Sequence, residues 1–419
     1  VAGHFLKGKE IPVSDDRLFK QRPLWMDAVA VALLMTATFK IMANATISPA
    51  LPALEASFAD VPGADYLVRF LVSAPSLTVV LVAPIAGLIA DRHGRGPLLI
   101  AGVTLFALAG SAGAYLPDLN SILVSRLLLG VAVAMTMTAQ VSLVGDLFTG
   151  ERRSTFLGWQ TATVNFSGFI FIGLAGYLAG LSPRLPFLIY AIPILLLPLL
   201  VSVGRREKHP GDAVEGVNKP SENISLHQRW ATQALMVAAL AMTTVSLFFL
   251  MPSQLPFYLD LNGFESASAT AVALGTLTLV GGCVALIFRR VCSRLGLALT
   301  LSVGYLLMGI GFVALAMEAT WVFILAGAAL IGAGYAFVQP GFLLLALKVA
   351  PPERRGTVSG FVTTGMFLGQ VISPLVMTPF LQVDGFNAVF FGVAVVLMLL
   401  AVLSFLPAFL RQEKKSGAT

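Results

Sequence analysis

Charged side chains are scarce in this sequence. They make up 11% of its 419 residues, against about 25% in ordinary soluble domains. Apolar residues make up 57%, at a mean hydropathy of +0.87. A water-soluble fold of this length could not hide so much apolar surface. Cysteine is scarcer still. Cys283 and Cys292 stand alone, in or beside one predicted helix, so no disulfide framework follows, and they read as small packing residues. The four histidines, His4, His93, His209 and His227, fall in connections between apolar blocks, which excludes an intramembrane metal-hydrolase site. No GxxxxGK[ST] loop occurs, so nucleotide hydrolysis is excluded as an energy source. No carboxylate is expected deep in a span, which argues against an intramembrane enzyme and against a carrier that pairs cations with a buried acid. No cofactor and no metal are expected.

What is present is a series of apolar blocks of about 20 residues, the length of helix that crosses a ~30 Å hydrocarbon core. Runs such as LLLGVAVAM and AVVLMLLAVL do not alternate in polarity, so they are not barrel strands. Windows between charged or Pro/Gly breaks predict helices over 24–49, 67–90, 97–116, 119–145, 155–181, 185–204, 230–258, 266–288, 295–317, 320–347, 356–381 and 386–410. The expected class is an all-α membrane protein of twelve transmembrane helices in two six-helix bundles. All but Lys40, Arg69, Arg126 and Arg184 of the 27 Lys and Arg residues fall in the tails and alternate connections. The positive-inside rule then puts both termini in the cytoplasm, and it accounts for the net charge of +6 without a nucleic-acid partner.

Domain limits follow. Residues 1–23 read as a polar cytoplasmic tail, 24–204 as one bundle, 205–229 as a linker with Pro210, Gly211, Gly216 and Pro220, 230–410 as the second bundle, and 411–419 as a second tail. The halves echo each other. ERRSTFLGWQT begins at Glu151 and ERRGTVSGFVT at Glu353, each leading into the fifth predicted helix of its half. Parallel repeats place a substrate site between the halves, near the midplane.

A lone charge at a helix centre costs about 2.5–3.5 kcal/mol on insertion scales, so intramembrane cations are functional candidates. Lys40 lies ~24 Å along the first helix from its cytoplasmic end and shares a face with Thr36 and Asn44. Arg126 enters the fourth helix by ~10 Å from the other side. Polar groups that would be costly against lipid complete the candidate pocket: Gln160, Asn165, Gln254, Tyr258, Tyr335, Gln339 and Gln370. Pro252, Pro256 and Pro340 are expected bending points.

Between the second and third predicted helices the chain reads GLIADRHGRGPLL. This loop is similar to the signature Gly-x-x-x-Asp-Arg-x-Gly-Arg of the major facilitator superfamily, matched by Gly87, Asp91, Arg92, Gly94 and Arg95. A further basic position often seen there is Gly96. LVSRLLLGVAV resembles the family's arginine pattern through Arg126 and Gly130, with Leu129 where drug antiporters commonly have glutamine. The fifth helix has Gly168, Gly173, Gly176 and Gly180 but no Gly-Pro pair.

The resemblance implies that helices 1, 4, 7 and 10 line a central cavity, which makes Lys40 and Arg126 cavity residues. It also implies a charged latch of Asp91, Arg92, Arg95, Asp146, Arg152 and Arg153 that holds the cytoplasmic side shut, with Asp91 accepting from the first free N–H groups of the eleventh helix. IFRRVCSRLG, over 287–296, is a worn second copy of the loop with arginine in place of its aspartate.

The expected function is secondary transport by alternating access. The resemblance favours proton-coupled export of a small anionic, zwitterionic or amphiphilic compound or drug, with Lys40 or Asp27 carrying the proton. Alternatives are a symporter importing an organic anion and a carrier of lipid or lysolipid. The expected partners are a small-molecule substrate and the lipid bilayer of a cell membrane (the inner membrane of a bacterium), and the expected working unit is the monomer.

Overall fold

Glycine and proline set the joints between helices. The computed structural model describes residues 24–148, 150–204, 228–351 and 354–416. The expected tail 1–23 and most of the expected linker lie outside the described residues. Among the described residues every regular element is helical.

Eight helices are long and apolar enough to cross a membrane: Ala28–Ser57, Arg95–Ala114, Leu119–Leu147, Thr155–Leu181, Trp230–Leu261, Ser266–Met317, Trp321–Val349 and Thr357–Phe405. A ninth is Ala64–Phe70 joined to Ala74–Ala90 at a 49° bend. The count falls short of the expected twelve for stated reasons. Ser266–Met317 has 52 residues, about 78 Å if straight and more than twice the bilayer core. Its Gly296 leaves the helical region at φ +78° and ψ 164°, a conformation open to glycine alone. Gly332 of the Trp321–Val349 helix meets Leu277, while nearby Gly334 meets Gly304 and Met308. Residues on both sides of Gly296 thus lie level with one stretch of the same neighbour, so the chain doubles back there. Thr357–Phe405 carries the same break at Gly385, with φ +77°. The expected sixth span is the shorter apolar helix Leu185–Val201. It opens as a twelve-residue 3-10 segment, Leu185–Leu196, containing Pro186 and Pro193, each of which removes an N–H donor.

The first helix runs to Ser57, past the expected end at 49. Pro49 and Pro52 sit in the first turns of the segments Ser48–Ala50 and Leu51–Ser57, where a missing N–H is harmless. At the other end of the chain the last helix continues to Ser416, so helix extends into the expected tail 411–419. Asp118 caps Leu119–Leu147. It accepts from Ser121 Oγ at 2.6 Å and from Ser121 N at 2.8 Å, and these bonds hold its carboxyl below the usual range.

The buried apolar residues form two cores. One is built almost wholly from residues 24–200, the other from 234–401, with Phe249, Phe257, Phe367 and Ile172 crossing over. The joints at 58–63, 115–118, 262–265 and Gly385 mark one end of the molecule, here called distal. Gly94, Phe148 and Gly296 mark the other, proximal end.

Candidate functional site

A cavity of about 160 Å³ lies between the two cores, lined from both halves of the chain. Broken helices make room for it. The first helix is interrupted at Thr38, between Ala28–Ala37 and Phe39–Ala45. The seventh is interrupted at Phe249, where Pro252 has no N–H to offer a carbonyl one turn back. Glycines draw the flanking helices together. A Cβ added at Gly168 would lie 3.1 Å from Thr278 Cγ2, and one at Gly282 would lie 3.1 Å from Asn165 Cβ.

Six of the expected site residues meet here: Lys40, Asn44, Asn165, Tyr335, Gln339 and Gln370. Among the described residues, Lys40 is the one charged residue in the lining. It is half-buried, its Nζ lies 5.8 Å from the Phe367 ring centroid, and no acceptor pairs with it among the described residues. Asn44 Nδ2 donates to Gln370 Oε1 at 2.9 Å, and Ser76 Oγ donates to the same oxygen. Asn165 Nδ2 donates to its own helix at Thr161 O, 2.9 Å away. Tyr335 stacks on Phe248 with ring centroids 3.8 Å apart.

Other expected members are elsewhere. Arg126 does not line the cavity. It is fully buried inside the first half, donates to the Gly110 carbonyl, and has its guanidinium 4.7 Å from the Phe187 centroid and 4.6 Å from that of Tyr190. Tyr258 is spent within the second half, donating to Leu315 O at 2.9 Å. Thr36 returns its hydroxyl to Ala32 O at 2.8 Å, so the expected polar face shrinks to Lys40 and Asn44. Gln160 is half-buried outside the lining. Asp27 caps the first helix through Val29 N at 3.1 Å and pairs with Arg152 at 2.7 Å.

Gln254 belongs to a cluster that the residue pattern did not reveal. Arg69 Nη1 donates to Gln254 Oε1 at 2.5 Å, and Gln254 Nε2 donates to Thr378 Oγ1 at 3.1 Å. The Arg69 guanidinium lies 3.7 Å from the Phe257 centroid, and its Nη2 lies 3.7 Å from Glu55 Oε2. Glu55 stands two residues from the end of the first helix at Ser57, so it adds an acid at the distal end of that helix and leaves the expectation of no carboxylate deep in a span in place. It was missed because the first helix was ended at the prolines; Arg69, a cation away from the positive connections, was the available signal. Nearby, Tyr66 Oη donates to Gln382 Oε1 at 2.7 Å, and Gln382 Nε2 donates to Asp65 Oδ2 at 2.8 Å. Five hydrogen bonds join the two halves among the described residues, and all lie at the cavity or distal to it.

The proximal charges are arranged differently. Arg95 pairs with Asp146, and Arg152 with Asp27, both within the first half. Arg92 is exposed. Gly94 makes the turn between helices at φ +91°, and Gly87 packs beside Thr138, whose Cγ2 would lie 4.0 Å from an added Cβ. The side chains of Asp91 and Arg153 lie outside the described residues. Among the described residues, no ion pair of the expected latch crosses to the second half.

Comparison with known proteins agrees with this architecture. The profile of the "Major Facilitator Superfamily" matches residues 31–374 and 266–419. "Multidrug resistance protein 1" of Bacillus subtilis (strain 168) is 29% identical over 140 residues, 33% of this chain and 36% of that protein. "Quinolone resistance protein NorA" of Staphylococcus aureus (strain MRSA252) is 26% identical over 175 residues, 41% of this chain and 45% of that protein. The matched stretch thus spans between a third and a half of these relatives. Among solved structures, a D-xylose-proton symporter superposes with a TM-score of 0.72 at 15% identity, covering 90% of this chain and 97% of that one.

Proposed function

The chain belongs to the Major Facilitator Superfamily and is a multi-pass membrane transporter rather than an enzyme; on that premise we propose that it exports a small anionic, zwitterionic or amphiphilic compound, driven by a proton gradient. One observation carries the substrate class: among the described residues, Lys40 is the one charged residue lining the cavity between the halves, and no carboxylate lines it. A lone ammonium in apolar surroundings costs about 2.5–3.5 kcal/mol, so the cavity gains most from a solute that brings a negative group. Asn44, Asn165, Gln339 and Gln370 add amide donors and acceptors that can orient the rest of the solute.

Direction and orientation rest on separate support. Arg92, Arg95, Arg289, Arg290 and Arg294 gather at the proximal end, which the positive-inside rule makes cytoplasmic. The bonds that join the halves at the cavity and distal to it among the described residues then support a cytoplasm-facing state, ready to load solute for export. The names of the relatives, multidrug and quinolone resistance proteins, support the same direction. The twelve-span plan, the two-bundle division and the monomeric working unit stay part of this proposal, with Gly296 and Gly385 as two of its hairpin turns. Lys40 is the preferred proton carrier, since Asp27 is held by Arg152.

A thermal-shift screen of acidic metabolites and drugs tests the substrate class. Ligands that stabilise the native protein are expected to lose that effect by about tenfold in affinity in Lys40→Ala, the loss of one charge-assisted contact. Unchanged shifts would remove the anionic-cavity idea. Inside-out vesicles with an acidified lumen are expected to accumulate the compound so identified. Accumulation in right-side-out vesicles under an inward proton gradient would reverse the direction.

A further inference from the structure

A second and larger cavity, about 940 Å³, adjoins the first. Thr161, Ala285 and Pro340 line both, so the two cavities lie side by side with these residues between them. Most of its lining comes from two helices, Gly150–Leu181 and the stretch 266–295, and Met35, Thr38 and Pro340 complete it. Distally these helices are held tightly. A Cβ added at Gly176 would collide with that of Ala271 and sit 3.0 Å from the Ala267 carbonyl oxygen. Proximally they part. A Cβ added at Gly158 would meet nothing within 4 Å, and Leu157, Trp159 and Leu286 are exposed along the gap.

Depth identifies what the gap faces. Leu286 is ~15 Å along its helix from the proximal turn at Gly296, and Trp159 is ~14 Å along its own from Gly150. Both positions lie within the hydrocarbon of a ~30 Å core, so the gap opens sideways into one leaflet. Arg289 lines its proximal margin and is exposed, about 4.5 Å of helix nearer the headgroups than Leu286. Among the described residues, no carboxylate lines either cavity.

We propose that this cleft is a membrane-side entrance and tail-binding site for single-tailed amphiphiles with an anionic head group. The tail lies between Leu157, Phe166, Leu286 and Phe288, while the head passes Arg289 and reaches Lys40 in the chamber. The polarity follows from the lining: an apolar slot that opens on lipid, beside a small polar chamber with one positive charge. Anionic recognition by Lys40 is taken over from the proposed function; the sideways route is new and can fail separately.

The test uses the full chain in phosphatidylcholine nanodiscs and a dodecanoate bearing a diazirine at the tail end. Photolabelling is expected within 157–171 and 285–288, and unlabelled dodecanoate should compete it away. Gly158→Trp fills open space in the cleft and should abolish the competable label, whereas Gly158→Ala should retain it. Leu286→Trp, from the opposite wall, should act like Gly158→Trp. Thermal shifts by water-soluble butanoate should survive all three changes and be lost in Lys40→Ala. If both tryptophan variants keep competable labelling, or if the label is never competable, the side entrance is overturned and the anion chamber stands. If Lys40→Ala alters neither probe, the chamber reading falls instead.

Discussion

Lys40 and Arg126 are both intramembrane cations, and their surroundings give them opposite work. Arg126 is fully buried between two aromatic faces and bonded to a backbone carbonyl of a neighbouring helix. It ties three helices of the first half together, and it has no access to the cavity. Lys40 has an aromatic neighbour at 5.8 Å and otherwise faces the cavity. Arg126→Ala should therefore cost about 2–5 kcal/mol of stability, the range for emptying a packed buried site, together with the unpaired Gly110 carbonyl. Lys40→Ala should leave the unfolding temperature unchanged or raised, because it removes an uncompensated charge. Thermal unfolding of the two variants in one detergent checks this; equal destabilisation would contradict the division of labour. The depth of both cations was legible in the sequence, because depth depends only on residue count from a helix end. Their azimuth was not. In a helix apolar all round, no stripe tells which side meets a cavity, a neighbour or lipid.

Helices in this chain are positioned by small residues more than by hydrophobic faces, since lipid is as apolar as the core. Three glycines of the Gly150–Leu181 helix show that the role depends on rotation. Gly168 and Gly176 sit against Thr278 and Ala271, whereas a Cβ at Gly173 would meet nothing within 4 Å. Gly176→Val should push the distal ends of the two cavity-wall helices apart, lowering the unfolding temperature and the transport rate together. Gly173→Ala should be neutral or slightly stabilising, as alanine suits a helix better than glycine by about 1 kcal/mol. Thermal unfolding and vesicle flux distinguish the pair; similar losses from both would mean that close approach is not what Gly176 provides. Helix existence was legible at this scale from apolar run length alone. Helix ends were less so. Pro49 and Pro52 read as a stop, yet each stands where a new helical segment begins and needs no N–H, and that difference hid Glu55.

Which end of the molecule is shut could not have been read from the sequence, because it depends on pairings between residues more than 180 positions apart. Arg69 to Gln254, Tyr66 and Asp65 to Gln382, and Asn44 and Ser76 to Gln370 bind the halves at or beyond the cavity. The expected latch lies at the opposite end, and its described ion pairs stay inside one half. Two alternative sets of bonds at two ends are what a rocking mechanism requires, since breaking one set must be offset by making the other. Weakening the distal set should then shift the population rather than unfold the protein. The Arg69 contact is charge-assisted, and such a bond contributes about 1.5–3 kcal/mol. Its removal in Arg69→Ala should favour the distal-open state by about tenfold or more.

Accessibility reads this directly. With Cys283 and Cys292 replaced by serine, Val245→Cys places one thiol on the cavity wall. A membrane-impermeant maleimide should modify it from the proximal side in the parent. In the Arg69→Ala background, modification from the distal side should accelerate by a similar factor, and Gln382→Ala, which removes two bonds at an exposed site, should give a smaller rise. Distal labelling that stayed at the parent rate in both would mean that these contacts do not hold the gate, and the closed distal side would need another cause.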